Sequence, residues 1–154
     1  MARKKGERIC WEGFGFPVIL NRVTFKMTPQ GYKIMDVNMK RLRQEVLLAL
    51  VLKKSLLSGA ELKFIRSSLE MSQKEFANFI DVAGHSSIAQ WERKNTKATG
   101  MSFHTELVMR LRVGRKLTKA VEIRVMNDIA TMKSSDLEAA DKPLELDPDE
   151  DFAA

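Results

Sequence analysis

Two serine-led boxes, Ser58-Gly59-Ala60-Glu61 and Ser72-Gln73-Lys74-Glu75, constrain the fold of this chain more than anything else in it. A serine three residues ahead of a glutamate lets its hydroxyl accept from the glutamate amide while the carboxylate reaches back to the serine amide. Two of the orphan donors at a helix start are satisfied at once. Helices are therefore expected to begin after Ser58 and after Ser72. The first runs to about Leu69, with Leu62, Ile65 and Leu69 on one face. The second buries Phe76, Ala77, Ile80 and part of Phe79. Asp81-Val82-Ala83-Gly84-His85 reads as a turn, and a third helix begins at Ser86 or Gly84 with Ile88 and Trp91 facing inward, three apart. Ala77 is small for a steric reason, since helices crossing this closely leave no room for a larger side chain at the point of approach.

The stretch from Leu57 to Lys94 thus reads as a helix-turn-helix. A short, N-terminally exposed helix of this kind fits the major groove of B-DNA, about 12 Å wide. The ordered elements Ser72-Gln73-x-x-Phe76-Ala77 and Ser87-Ile88-x-x-Trp91-Glu92 resemble the large helix-turn-helix (XRE) family that includes the phage lambda and 434 repressors and many bacterial antitoxins. A weaker continuation through Phe103 to Val113 is similar to that family's fourth helix. The turn between Ala77 and Ile88 is one residue longer than in most relatives, which leaves the start of the reading helix open.

The resemblance implies a set of DNA contacts. Gln73 falls where the family holds a phosphate at the start of its second helix, with Ser72 at the head of that helix. His85, Ser86 and Gln90 fall where such repressors present polar side chains to base edges. Their chemistry suits the task, because Gln90 can bond adenine in a bidentate way and serine can donate or accept. Ser87, Arg93, Lys94 and Lys97 lie on the flanks, where amides and cations grip phosphates and set register without reading sequence. The plainer reading makes Gln73 a helix-surface residue and His85 a loop residue forced by the longer turn. Trp91 is expected in the core.

Ahead of the motif, Val18-Ile19-Leu20, Val23, Phe25 and Met27 read as a strand. Thr28-Pro29-Gln30-Gly31 supplies turn chemistry and Tyr32 to Val37 the returning strand. A two-stranded ribbon needs something to lie on. The expected partner is a helix from about Asn38 to Lys53, with Met39, Leu42, Val46, Ala49 and Leu50 at spacings of three and four. With Gly13-Phe14-Gly15-Phe16-Pro17-Val18 at its start, this arrangement looks like the antitoxins related to MqsA, without the cysteine-rich zinc domain that often precedes them. That implies DNA binding more directly than docking of a cognate toxin.

Past the motif, a helix over Met101 to Arg112 carries Phe103, Leu107, Val108 and Leu111. A last helix from about Leu117 to Met132 repeats Val121, Val125 and Ile129, with Ile123 and Met126 off the stripe as a candidate dimer contact. Arg110, Arg112, Arg115 and Lys116 read as an exposed face, or as phosphate contacts near a dimer dyad. Two-fold symmetry would set two reading helices about 34 Å apart.

Charge supports a polyanionic partner. Residues 1–135 hold 25 Lys and Arg against 12 Asp and Glu, a balance of +13, whereas residues 136–154 carry eight acids and Lys142, a balance of −7. Each phosphate neutralised by a cation releases condensed counterions. One cysteine, Cys10, and two histidines, His85 and His104, exclude an internal disulfide and an ordinary structural zinc site. No apolar run approaches the roughly 20 residues of a membrane span, and the opening residues lack the apolar core of a signal peptide. A reducing cytoplasm and association with the nucleoid are expected. No phosphate loop, nucleophile elbow or metal-spaced histidine pair suggests an enzyme, a metal or another cofactor.

The expected organisation is mainly α: a five-helix lambda-repressor-like helix-turn-helix domain preceded by a small β-ribbon plus helix. It comprises a basic N-terminal arm (1–15), a ribbon-and-helix region for dimerisation or a partner (16–56), the DNA-binding domain (57–133) and an acidic disordered tail (134–154). The expected function is a homodimeric, sequence-specific repressor acting on double-stranded operator DNA, as the antitoxin of a toxin-antitoxin pair that controls its own operon. The alternatives are a phage-type or stand-alone regulator, or a toxin-neutralising protein with incidental DNA affinity.

Overall fold

The structure, a computed structural model, describes residues 6–137 and 142–147. Among these lie six α-helices and five short strands, so helix predominates, as the sequence leads one to expect. The chain divides into two compact units, one made of residues 1–46 with 143–154 and the other of residues 47–142.

The first unit holds a three-stranded sheet and a separate ribbon. β1 (Glu7–Trp11) runs antiparallel to β2 (Val18–Val23), and β5 (Leu144–Leu146) lies parallel to β2 on its other side. The central strand alternates through Val18 and Leu20, both buried, and Val23, three residues on, is buried beyond a break in register. Arg22, at φ 54, sits where the β1–β2 register slips between Glu7 and Ile9. Val23, beyond this break, still pairs with Glu7, and the strand ends there. β3 (Phe25–Met27) pairs antiparallel with β4 (Lys33–Met35), and the long strand expected over residues 18–27 is two strands in two sheets.

The turn chemistry at Thr28 to Gly31 is as expected. Gly31 adopts φ 89 and donates to the Thr28 carbonyl at 2.9 Å, and Thr28 donates to the Tyr32 carbonyl at 2.8 Å. The ribbon itself is lightly covered: Met27, Tyr32 and Ile34 are exposed, and only Phe25 and Met35 in its strands are half-buried.

Two expectations are corrected here. The basic arm over residues 1–15 contains a paired strand, β1, over Glu7–Trp11, and residues 1–5 lie outside the described residues. The acidic tail is not wholly without structure either. Leu144 and Leu146 are only 8% and 4% exposed in β5, and Asp147 is ion-paired with Arg22. Composition hides this because two apolar residues at period two among many carboxylates are too short a signal without a neighbouring strand. Residues 138–141 and 148–154 of the tail lie outside the described residues.

The unit boundary falls within α1 (Met39–Val51), between Val46 and Leu47. Of the expected stripe Leu42, Val46 and Leu50 are buried, Ala49 is half-buried and Met39 is exposed, and Leu47 and Val51 are buried beside them. In the second unit α1 gives way to α2 (Gly59–Ser68), α3 (Gln73–Phe79), α4 (His85–Glu92), α5 (Phe103–Leu117) and α6 (Lys119–Thr131), followed by a single 3-10 turn at Ser134–Asp136.

Both capping boxes form. The Glu61 amide donates to Ser58 Oγ at 3.2 Å and the Glu75 amide to Ser72 Oγ at 3.1 Å, with the carboxylates answering the serine amides at 2.9 and 3.3 Å. Leu57, Leu62, Phe64, Ile65, Phe76, Ala77, Ile80, Ile88, Met109 and Val113 fill the core. Full burial of a side chain such as Phe76 or Ile88 stabilises by about 1.5–3 kcal/mol. α5 and α6 pack closely at Gly114, where an added Cβ would lie 3.3 Å from Val121. No helix among the described residues is long and apolar enough to cross a membrane.

Candidate nucleic-acid interface

The start of α4 follows from how α3 ends. Asp81 takes φ 59, its amide donates to the Asn78 carbonyl at 3.2 Å, and the Val82 amide reaches back to the Ala77 carbonyl at 2.8 Å. This is a Schellman closure with aspartate in the left-handed position that glycine usually holds. Gly84, at φ 76, then stands as the N-cap, and His85 is the first helical residue. Of the two starting points open to the chain, Gly84 is the one taken. No side chain caps this helix, in contrast to α2, α3, α5 and α6. Its first amides are left without a side-chain acceptor.

α4 is two-faced. Ile88 is fully buried and Glu92 nearly so, whereas His85, Ser86 and Gln90 are exposed and Ser87 is half-buried. With 3.6 residues per turn, burying Ile88 turns Ser86 and Gln90 away from the core. Trp91, expected in the core, is only half-buried.

Beneath this helix sits a polar clamp that the sequence did not lead one to expect. Arg66 of α2 holds Glu92 of α4 through Nε at 2.5 Å and Nη2 at 3.2 Å, and its Nη1 donates to the Met71 carbonyl at 2.9 Å. The Gln73 Nε2 donates to the same Glu92 carboxylate at 2.9 Å. Gln73, expected on a phosphate, is thus half-buried with its amide turned to Glu92, and it links α3 to α4. Ser72 remains exposed, with its hydroxyl engaged in capping. Nothing local in the sequence marks Glu92 for the clamp, because its partner lies 26 residues away.

The cations after α4 ride on a pinned loop. The Lys97 carbonyl accepts from Gly59 at 3.1 Å, the Asn95 carbonyl from Ala60 at 2.9 Å, and the Leu57 carbonyl from Thr99 at 3.2 Å. These bonds fix the backbone of residues 95–99 against the start of α2. Gly59 is required there, because a Cβ would fall 2.5 Å from the Trp91 carbonyl oxygen and 2.7 Å from that of Glu92. Arg93, Lys94 and Lys97 are all exposed, and among the described residues none has a carboxylate within ion-pair distance. His85, Ser86 and Gln90 are thus exposed along α4, and Arg93, Lys94 and Lys97 are exposed in the segment that continues it. Lys74 and Asn78 of α3 are exposed as well and were not anticipated.

Arg110 corrects an expectation. Expected on an exposed face, it is 4% exposed and donates to the carbonyls of Lys53, Ser55 (2.6 Å) and Val51 (3.4 Å). A guanidinium caps the end of α1, where carbonyls lack helical partners. Around it lie Glu106, 3.6 Å away, and the buried Lys53–Glu61 pair at 2.7 Å. Burial raises the Glu106 carboxyl above its ordinary range, opposed by Arg110, the Leu57 amide and Lys53; burial likewise lowers the Arg110 guanidinium. Arg112 and Arg115 are exposed, with Arg112 Nη1 on the Phe79 carbonyl at 3.0 Å. Lys116 lies 5.6 Å from the Phe79 ring centroid.

Among the described residues no group of His, Cys, Asp and Glu gathers to hold a metal. What the exposed edge of α4 offers is hydrogen-bond donors and acceptors flanked by unpaired cations. That chemistry suits a surface bearing both base edges and phosphates. The chain matches no protein-family model, no curated protein and no solved structure.

Proposed function

We propose that the protein is a sequence-specific, double-stranded DNA-binding repressor whose reading element is α4, carried on a five-helix domain of the lambda-repressor kind formed by α2 to α6. The observation that carries this reading is the outward polar edge of α4, with His85, Ser86 and Gln90 exposed while Ile88 is buried. Gln90 and Ser86 address base edges; Arg93, Lys94 and Lys97 address phosphates, together with the uncapped amides at the start of the helix. The charge balance of +13 over residues 1–135 supplies the salt-dependent attraction.

One α4 covers one half-site, so the operator is a palindrome read by a homodimer. Ile123 and Met126 on α6, 48% and 52% exposed, are available for a subunit contact. The resemblance to antitoxins extends the proposal to control of the protein's own operon beside a toxin gene, and a small ribonuclease-like neighbouring reading frame would support it. The test is a footprint on the upstream region of its own gene at two salt concentrations. Protection of a palindrome that survives random competitor DNA supports the reading; retention no better than on scrambled duplex ends it.

A further inference from the structure

The strand that completes the first unit arrives from far along the chain. β5 follows residues 132–143, among whose described members there is no strand and no α-helix, and it closes a sheet whose other members end at Val23. Its contacts form a compact set. Leu144 faces Val18 and Leu146 faces Leu20 across a parallel register, both leucines buried. Glu145 Oε1 accepts from Asn21 Nδ2 at 2.9 Å and lies 3.7 Å from Arg8 Nε, and Asp147 pairs with Arg22. An acidic strand thus meets an edge furnished with Asn21, Arg22 and Arg8. Pro143 and Pro148 flank the segment in the sequence, and neither can donate an amide hydrogen to a ladder.

We propose that β5 is an exchangeable strand: in a pair of copies, the 144–147 segment of each chain seats on the β2 edge of the other. Every contact just described lies between residues 144–147 and the β1–β2 pair, so a second copy supplies an identical set. Exchange leaves the bonding unchanged. The balance is set by concentration, because a tethered segment sees its own site at an effective concentration in about the millimolar range. Pairing between copies therefore grows as protein approaches that range, or when anything else holds two copies side by side. Reciprocal exchange has two-fold symmetry and closes on itself.

The test uses full-length chains with Cys10→Ser. One preparation carries Asn21→Cys and another Glu145→Cys; they are mixed and bridged with a short bismaleimide. The expected result is a mixed covalent dimer at least about fivefold above a control mixture of Lys63→Cys with Glu145→Cys. It rises with total concentration and falls when excess chain bearing only Cys10→Ser is added as competitor. Adding Leu146→Asp to the Glu145→Cys chain abolishes it. A yield equal to the control, or one that the competitor leaves unchanged, overturns the proposal without relying on any variant that fails to fold. No DNA enters the experiment, so its failure leaves the operator reading standing.

Discussion

Arg66 and Glu92, 26 residues apart, meet through two nitrogens and two carboxylate oxygens at 2.5 and 3.2 Å, joining the first helix of the motif to the end of the third. Both side chains are largely out of water, and the same carboxylate takes Gln73. Removing one member of such a pair strands the other charge, so Arg66→Ala or Glu92→Ala is predicted to destabilise the second unit by about 3 kcal/mol. Denaturant titration of the two single variants and the double variant checks this. Additive single losses in the double variant would show that the two residues are not coupled.

Gln90 and Lys94 are predicted to fail differently. Gln90→Ala should weaken operator binding by about 1–3 kcal/mol and relax selectivity at one base position. Lys94→Ala should weaken all DNA alike and reduce the salt slope by about one unit. Binding isotherms on operator and random duplex across a salt series separate the two. Equal losses on both duplexes for the Gln90 change would remove it from the reading set.

Gly59 lies where the basic loop and the end of α4 touch the start of α2. A methyl group at that position meets backbone at 2.5 and 2.7 Å, atoms that cannot step aside as a flexible side chain does. Gly59→Ala is therefore predicted to lower stability by about 1–3 kcal/mol, the range for forced overpacking. It should also weaken DNA binding, because Asn95 and Lys97 are displaced with the loop. A thermal midpoint equal to that of the native chain would refute the close approach.

Glu106 makes stability depend on pH with a definite sign. Its carboxyl is raised above 4.5 in the folded chain, chiefly by burial. The folded state therefore holds the proton more tightly than the unfolded state. The contribution is complete below 4.5 and is lost as pH rises through the folded value. Against a Glu106→Gln reference, the native chain should lose relative stability as pH climbs from 4 toward neutrality. Each tenfold difference in proton affinity between the folded and unfolded chains is worth about 1.4 kcal/mol. Denaturant titrations of both chains at several pH values check this, and a difference that stays flat across that interval would contradict the assignment.

The C-terminal strand gives a prediction for the first unit alone. Leu146→Asp places a carboxylate where a leucine is 4% exposed, opposite Leu20. A cost of about 3 kcal/mol or more is expected, from the lost burial and the buried charge together. Hydrogen exchange at β2 should quicken while the amides of α2 to α4 stay protected; unchanged protection at Val18 to Leu20 would argue against the pairing.

Elements whose cause is local were legible in the residues alone. A serine three residues before a glutamate and followed by an apolar helical repeat favours a helix start, so Ser58 and Ser72 announced α2 and α3 without help from the rest of the chain. Thr28 to Gly31 likewise specified its turn, and the sequence identified Ile88 as an inward residue of α4, although Trp91, expected beside it in the core, is only half-buried. Packing alone settled whatever depends on residues distant in the chain. Arg110 is buried because the end of α1 presents carbonyls to it, Gln73 turns inward because Glu92 and Arg66 are there, and Leu144 to Leu146 form a strand because β2 has a free edge. In each case the partner lies well beyond the next turn of chain, and neither periodicity nor propensity carries its position. A capping box or a turn can be read within four residues; a buried guanidinium or an added strand is defined only once folding has brought its partner alongside.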